Sequence, residues 1–149
     1  MPELPEVETT LKGIAPFLLG YEIESTVVRN GSLRWPVPEQ VHQLKNQNVQ
    51  KVSRRGKYIV VHFEHGALLI HLGMSGNLRV VDSGVPVQKH DHVDFLVNSG
   101  KIIRYNDPRR FGCVLWSDDW HAHKLIQNLG LEPLTELFTG NYLHTKAKG

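Results

Sequence analysis

Cysteine is almost absent from this chain: Cys113 stands alone among 149 residues, so neither an internal disulfide nor a paired-cysteine zinc site can form. A reducing compartment is the simplest setting for such a sequence. Long apolar runs are missing too. No segment approaches the ~20 residues that a membrane-spanning helix requires, and the first residues carry Glu3, Glu6 and Glu8 where an export leader would be basic. The expectation is a cytoplasmic protein without membrane contact. Charge of one sign is also scarce, with 17 Lys and Arg against 15 Asp and Glu. A net +2 is ordinary for solubility, so any case for a polyanionic partner must rest on local clustering. No internal repeat is visible. What is present, 40% apolar and 21% charged residues, suits one globular domain. A chain this long buries roughly two thirds of its unfolded surface and needs no staple.

Near the start, Pro5 suits a first helical turn and Glu6 and Glu8 complement the helix dipole. Val7, Leu11, Ile14 and Leu18 then repeat on one face until Gly20, which predicts a first helix. From Tyr21 the pattern changes to short β-rich runs at 21–29, 49–54, 58–63, 67–72, 78–81, 92–97, 102–105 and 113–116. Asn30-Gly31, Glu64-His65-Gly66, Gly73-Met74-Ser75-Gly76, Ser99-Gly100 and Asp107-Pro108 punctuate them with turn chemistry. The fold class is therefore mainly β with flanking helices (α+β), built on an antiparallel sandwich of about eight strands. A short helical piece is expected at 39–46, and a second proper helix from an N-cap at Ser117 to a stop at Gly130. The tail from Thr139 starts another helical pattern that ends before it can bury a face.

Chemistry is concentrated at the first residues. A small second residue favours removal of Met1, which leaves Pro2 with a free secondary amine. Such an α-amine titrates near ~7.7 to 8, so part of it is neutral and nucleophilic at physiological pH. Its adduct with a sugar carbon is an iminium that has no nitrogen proton to lose, and it therefore remains an electron sink for elimination. Glu3 beside the same carbon would protonate a leaving or ring oxygen and later take a proton back. Read alone, Pro2 only promotes Met1 removal, and Glu3 and Glu6 are helix-start residues.

Pro2-Glu3-Leu4-Pro5-Glu6-Val7-Glu8-Thr9 resembles the opening signature of the formamidopyrimidine-DNA glycosylases at every position. The resemblance continues through Arg29-Asn30-Gly31, Arg54-Arg55-Gly56-Lys57-Tyr58, His71-Leu72-Gly73-Met74-Ser75-Gly76, Lys89-His90-Asp91-His92-Val93-Asp94 and Tyr105-Asn106-Asp107-Pro108-Arg109-Arg110-Phe111-Gly112. It implies base-excision repair of oxidised purines: hydrolysis of the glycosidic bond through a Pro2 Schiff base, then β- and δ-elimination that nicks the strand. It implies Pro2 as nucleophile, Glu3 as general acid/base and Lys57 as proton donor, and Glu6 is carried with them as a fourth catalytic candidate. Leu4 is similar to this branch and not to the related endonuclease VIII branch, which typically has glycine there and prefers oxidised pyrimidines.

An enzyme acting on one base of a duplex must rotate that base out and fill the gap. Met74 between glycines, and Phe111 after two arginines, have the chemistry of wedges. The resemblance implies that Met74, Arg109 and Phe111 occupy the gap, with Arg109 facing the orphaned base. Arg54, Arg55 and Lys57 form one basic cluster and Arg109 with Arg110 another. Arg34, Lys89 and His90 fall in loops, and such a surface neutralises phosphates without reading sequence. The expected DNA contacts are His90, Arg109, Met74, Phe111, Arg34, Arg55 and His71. Without the resemblance, Met74 is a core filler and Phe111 a strand anchor. His90-Asp91-His92 and His121-Ala122-His123 each offer only two metal ligands. No third is evident, and His92 is expected to be packed or hydrogen-bonded.

The resemblance divides the chain into a catalytic β-sandwich over 1–134 and, at 135–149, the start of a helix-two-turn-helix domain. It implies that this domain and a zinc finger with one structural Zn follow in the whole protein. The 149 residues bind no cofactor of their own, and the expected partner is double-stranded DNA with an oxidised purine or abasic site, met by a monomer. The isolated chain is expected to bind DNA weakly and turn over little or not at all. Two alternatives stay open: a module that binds damaged DNA without catalysis, and an N-terminal-proline enzyme like the small tautomerases, which are compact βαβ units.

Overall fold

The computed structural model describes residues 4–118 and 134–135. Helix α1 (Leu4–Ile14) runs on into a 3-10 turn (Ala15–Phe17). Val7, Leu11, Ile14 and Leu18 are all buried, as their spacing predicts. The last turn tightens where Pro16 has no N–H to offer, and Leu18 N donates to Ala15 O at 3.1 Å.

The strands are β1 (Glu22–Val28), β2 (Gln47–Asn48), β3 (Lys51–Arg55), β4 (Tyr58–Phe63), β5 (Gly66–His71), β6 (Asn77–Asp82), β7 (Asp91–Val97), β8 (Lys101–Asn106), β9 (Cys113–Ser117) and β10 (Leu134–Thr135). They form two five-stranded antiparallel sheets, ordered β2-β1-β7-β8-β6 and β10-β3-β4-β5-β9. The sandwich is as expected, its eight long strands supplemented by two of two residues each. The helical piece expected over 39–46 is shorter, α2 (Glu39–His42), because the chain turns at Gln43 and Asn46 takes a left-handed φ of 56°. Ser117 is the last residue of β9, and the helix expected after it lies outside the described residues.

The core sits between the sheets. Ile23, Phe95 and Ile103 from the first sheet meet Ile59, Val61, Leu68 and Ile70 from the second, and the apolar stripe of α1 closes one end. The second sheet is apolar on its outer face as well, where Val60, Leu69, Cys113 and Leu115 pack with Trp35. This is why β4 and β5 read as nearly continuous apolar runs instead of strict alternation.

The outer face of the first sheet carries charge instead. Arg104 forks onto Asp94, Nε to Oδ1 at 2.9 Å and Nη2 to Oδ2 at 3.1 Å, and Arg29 Nη2 reaches Asp94 Oδ2 at 2.6 Å. Arg104 Nη1 also donates to the carbonyls of Val85 and Pro86, which ties the β6–β7 loop to the sheet. Burial alone would raise the Asp94 carboxyl, but the hydrogen bonds from Arg29 and Arg104 outweigh it and hold the group below its usual range. A carboxyl depressed in the folded state stabilises above its unfolded value of about 3.8, and that contribution is lost as pH falls through the folded value. Urea melts from neutral pH downward should show stability falling below about pH 4, and Asp94→Asn should flatten that decline. Parallel curves for the two proteins would disprove this assignment.

Candidate nucleic-acid interface

Two turns emerge at the same end of the sandwich. The first, Leu72 to Gly76, links β5 to β6 and closes through Gly76 N to Leu72 O at 2.7 Å. Met74 stands at its tip, 46% exposed. The second, Asp107 to Gly112, links β8 to β9 and exposes Arg109 and Arg110, with Phe111 47% exposed. Arg110 holds a left-handed φ of 57°, a conformation that costs a residue with a Cβ about 1 kcal/mol and persists only where neighbours enforce it. Phe111 is accordingly no strand anchor and Met74 no core filler. The Arg109 guanidinium lies over the Phe111 ring at 5.3 Å, a cation–π contact that presents charge and apolar surface together.

The turns meet backbone to backbone. A Cβ built on Gly73, whose φ is +64°, would lie 2.6 Å from the Phe111 carbonyl carbon, and one on Gly112 would overlap the His71 carbonyl oxygen and the Tyr105 hydroxyl. Only glycine permits this approach. Met74, Gly73 and Phe111 line one cavity of about 250 Å³ together with Arg34 and His71. Arg34 belongs to the loop after β1, is held by its own N–H to Gly112 O at 3.1 Å, and stacks its guanidinium on Trp35 at 4.6 Å.

Lys57 joins this end through a two-residue hairpin. Arg55 and Tyr58 pair across β3 and β4, leaving Gly56-Lys57 as the loop, with Gly56 at φ +58° as a hairpin of this twist demands. Tyr58 in turn pairs with His71, so the hairpin sits beside the cavity. His71 Nδ1 accepts the Gly73 N–H at 2.9 Å, which makes its other nitrogen the donor. Burial first, then the charges of Arg34 and Lys57, push the imidazole below its ordinary value of 6.5. It is therefore neutral at pH 7. Acidification must break the bond from Gly73, so the Gly73 amide resonance should titrate with a midpoint below 6.5. A midpoint at or above that value would refute the downward shift.

The other expected site residues are placed less uniformly. Arg55 is half-buried at the end of β3, where Leu134 pairs with it. Arg54 is turned inward, away from the basic face: it donates to Glu8 Oε1 at 3.2 Å and to Gly56 O at 2.8 Å, tying α1 to the Lys57 hairpin. His90 is half-exposed beside the Arg109 turn, its carbonyl accepting Asp107 N–H at 3.1 Å. Glu6 is exposed on the first turn of α1. Pro2 and Glu3 lie outside the described residues. His92 is buried and hydrogen-bonded, Nε2 to Asp107 O at 2.8 Å, and among the described residues no group of three His, Cys, Asp or Glu could hold a metal ion. No helix among the described residues is long and apolar enough to cross a membrane.

The family described as "Formamidopyrimidine-DNA glycosylase N-terminal domain" matches residues 1–114. A formamidopyrimidine-DNA glycosylase of Alcanivorax borkumensis is 54% identical over 149 residues, all of this chain and 55% of that protein. The one from Shigella dysenteriae is 52% identical over 146 residues, 98% of this chain and 54% of its own. Among solved structures, a complex between the LlFpg protein, a THF-DNA and an inhibitor superposes with a TM-score of 0.76 at 29% identity, covering 85% of this chain and 48% of that one. The Lactococcus lactis Fpg with DNA containing an abasic site gives 0.71 at 30% identity, covering 78% and 43%. The chain thus spans about 55% of the length of the curated relatives it matches.

Proposed function

Because the chain belongs to the formamidopyrimidine-DNA glycosylase family, we propose that the whole protein excises oxidised purines from double-stranded DNA and then nicks the strand at the abasic site. One observation carries this furthest: two apolar side chains nearly half exposed, Met74 and Phe111, stand with Arg34 and His71 around a single cavity, and Arg109 is stacked on Phe111. Apolar groups held outward in a basic setting suit insertion into a base stack. Arg34, Arg55, His71 and His90 hold phosphates beside them.

In this scheme the Pro2 nitrogen forms a bond to C1′ of the lesion nucleotide as the C1′–base bond breaks, and the departing base carries away the bonding pair and takes a proton. The C1′–O4′ bond then opens, Glu3 supplies the proton to O4′, and the nitrogen lone pair makes the iminium. Loss of a C2′ proton expels the 3′ phosphate, and a second elimination expels the 5′ phosphate, with Lys57 and Glu3 handling the protons and Glu6 as a further candidate. The link from Glu8 through Arg54 to Gly56 supports a shared pocket, since it holds the start of α1 against the Lys57 hairpin.

We assign residues 1–134 to the catalytic domain and 135–149 to the start of the next, and expect the structural zinc in the downstream part. The protein acts as a cytoplasmic monomer, and the 149 residues alone bind DNA weakly. Borohydride reduction in the presence of an abasic-site duplex tests the proposal, using this chain and a version extended by the downstream domains. A covalent adduct with either supports catalysis, and failure of both reduces the protein to a DNA-binding module.

A further inference from the structure

Asp107 is not among the expected DNA contacts, yet it bonds to three of the segments that carry them: the Met74 turn, the Arg109–Phe111 turn and the His90 loop. Its side chain is wholly buried and both oxygens are filled. Oδ1 accepts from Ser75 Oγ at 3.0 Å and Arg110 N at 3.1 Å, and Oδ2 from Tyr105 OH at 2.8 Å and Gly112 N at 2.9 Å. Ser75 follows Met74, while Arg110 and Gly112 flank Phe111. Ser75 Oγ also accepts the Arg109 N–H at 3.3 Å, so one hydroxyl bridges the two turns. The backbone of Asp107 completes the set, its N–H on the His90 carbonyl and its own carbonyl on His92 Nε2.

We infer that Asp107 is a positioning residue that holds the Met74 turn, the Arg109–Phe111 turn and the His90 loop in one arrangement. This rests on the proposed duplex opening for its consequence, but not for its geometry. Only a group with two oxygens, each accepting twice, fits the position; a carboxamide offers two donors where two acceptors are needed. Hydrogen bonds to a charged group are stronger than neutral ones, and leaving a buried donor unmade costs more than the bond contributed. Arg110 could not hold its left-handed φ as firmly without the bond to its N–H.

The test uses the full chain at low salt with a duplex in which 2-aminopurine lies opposite a tetrahydrofuran abasic analogue. Its fluorescence rises when the orphaned base is unstacked. Asp107→Asn should bind this duplex with affinity within about threefold of the parent, because phosphate contacts dominate affinity, while the unstacking amplitude falls about fivefold or more, as a loss of roughly 1 kcal/mol per turn predicts. A general loss of stability would not separate amplitude from affinity below the melting temperature. Met74→Ala, which removes the wedge itself, sets the floor of the signal. Should Asp107→Asn fail to fold, Ser75→Ala decides: it removes only the bridge, and the Arg109 amide should then exchange hydrogen about fivefold faster. Unchanged amplitude with unchanged exchange at Arg109, Arg110 and Gly112 overturns the inference. If neither the 149 residues nor the version extended by the downstream domains unstacks the base, the proposed function fails and amide exchange alone judges Asp107. Faster exchange at Arg110 and Gly112 in Asp107→Asn or, where that does not fold, in Ser75→Ala supports it, and equal exchange overturns it.

Discussion

A chain whose Pro2 nitrogen is blocked, whether by retained Met1 or by an added residue, is expected to yield no reduced adduct with abasic DNA, a loss of roughly a thousandfold or more. In an amide the nitrogen lone pair is delocalised into the carbonyl and cannot attack carbon. The unblocked amine should show the opposite sign with pH, trapping faster as pH rises through about 8, where an α-amine loses its proton. Glu3→Gln should slow trapping on an oxidised-purine duplex more than trapping at a ready-made abasic site, because the abasic sugar already opens to its aldehyde without a proton delivered to O4′ by Glu3. Mass spectrometry establishes which terminus each sample carries, and the adduct is counted on a denaturing gel. Equal adduct from blocked and free chains would shift the nucleophile to a lysine amine, with Lys57 the first suspect, and Pro2 would lose its assigned role.

Gly112→Ala is expected to lower stability by about 3 kcal/mol, near the upper end for overpacking a tight site. That corresponds to a melting temperature lower by roughly 10 °C for a chain of this size. The new methyl group would overlap the His71 carbonyl and the Tyr105 hydroxyl, neither of which is the free end of a flexible side chain. The Phe111 turn must then move away from the Met74 turn, so unstacking of the orphaned base should be lost along with stability. Gly73→Ala adds the strain of a positive φ to a similar overlap. Gly13 provides the contrast, because its Cβ would meet nothing within 4 Å and it lies exposed in α1. Gly13→Ala should therefore stabilise by about 0.5–1 kcal/mol. A melting temperature for Gly112→Ala within two or three degrees of the parent would mean that the two turns are not packed as described.

Much of the interface could be read before folding was known, because its chemistry lies in local runs. The proline–glutamate start, the glycine-bracketed Met74 and the paired arginines before Phe111 are each contained within a few residues, and their types speak for themselves. Arg54 and Arg55 show where such reading stops. Adjacent residues on a strand face opposite sides of the sheet, so one of two neighbouring arginines can point inward while the other does not. Nothing in the local sequence says that Glu8, 46 positions earlier, waits on the inner side for Arg54. Asp107 is the sharper case. Followed by proline, it reads as an ordinary turn residue, and only the approach of Ser75 from 32 positions away turns it into a buried hub.

The sequence by itself determined the strand segments, the helix stripe, the turn positions and the inventory of reactive groups, all of which depend on neighbours along the chain. Tertiary structure alone decided that β1 lies beside β7 and β5 beside β9, and therefore that the Met74 turn and the Phe111 turn leave the sandwich together. The physical reason is that alternation specifies which side of a strand is apolar but not which distant strand will bond to its edge. That choice is made by packing two whole sheets around one core, and the cavity between the turns is its product.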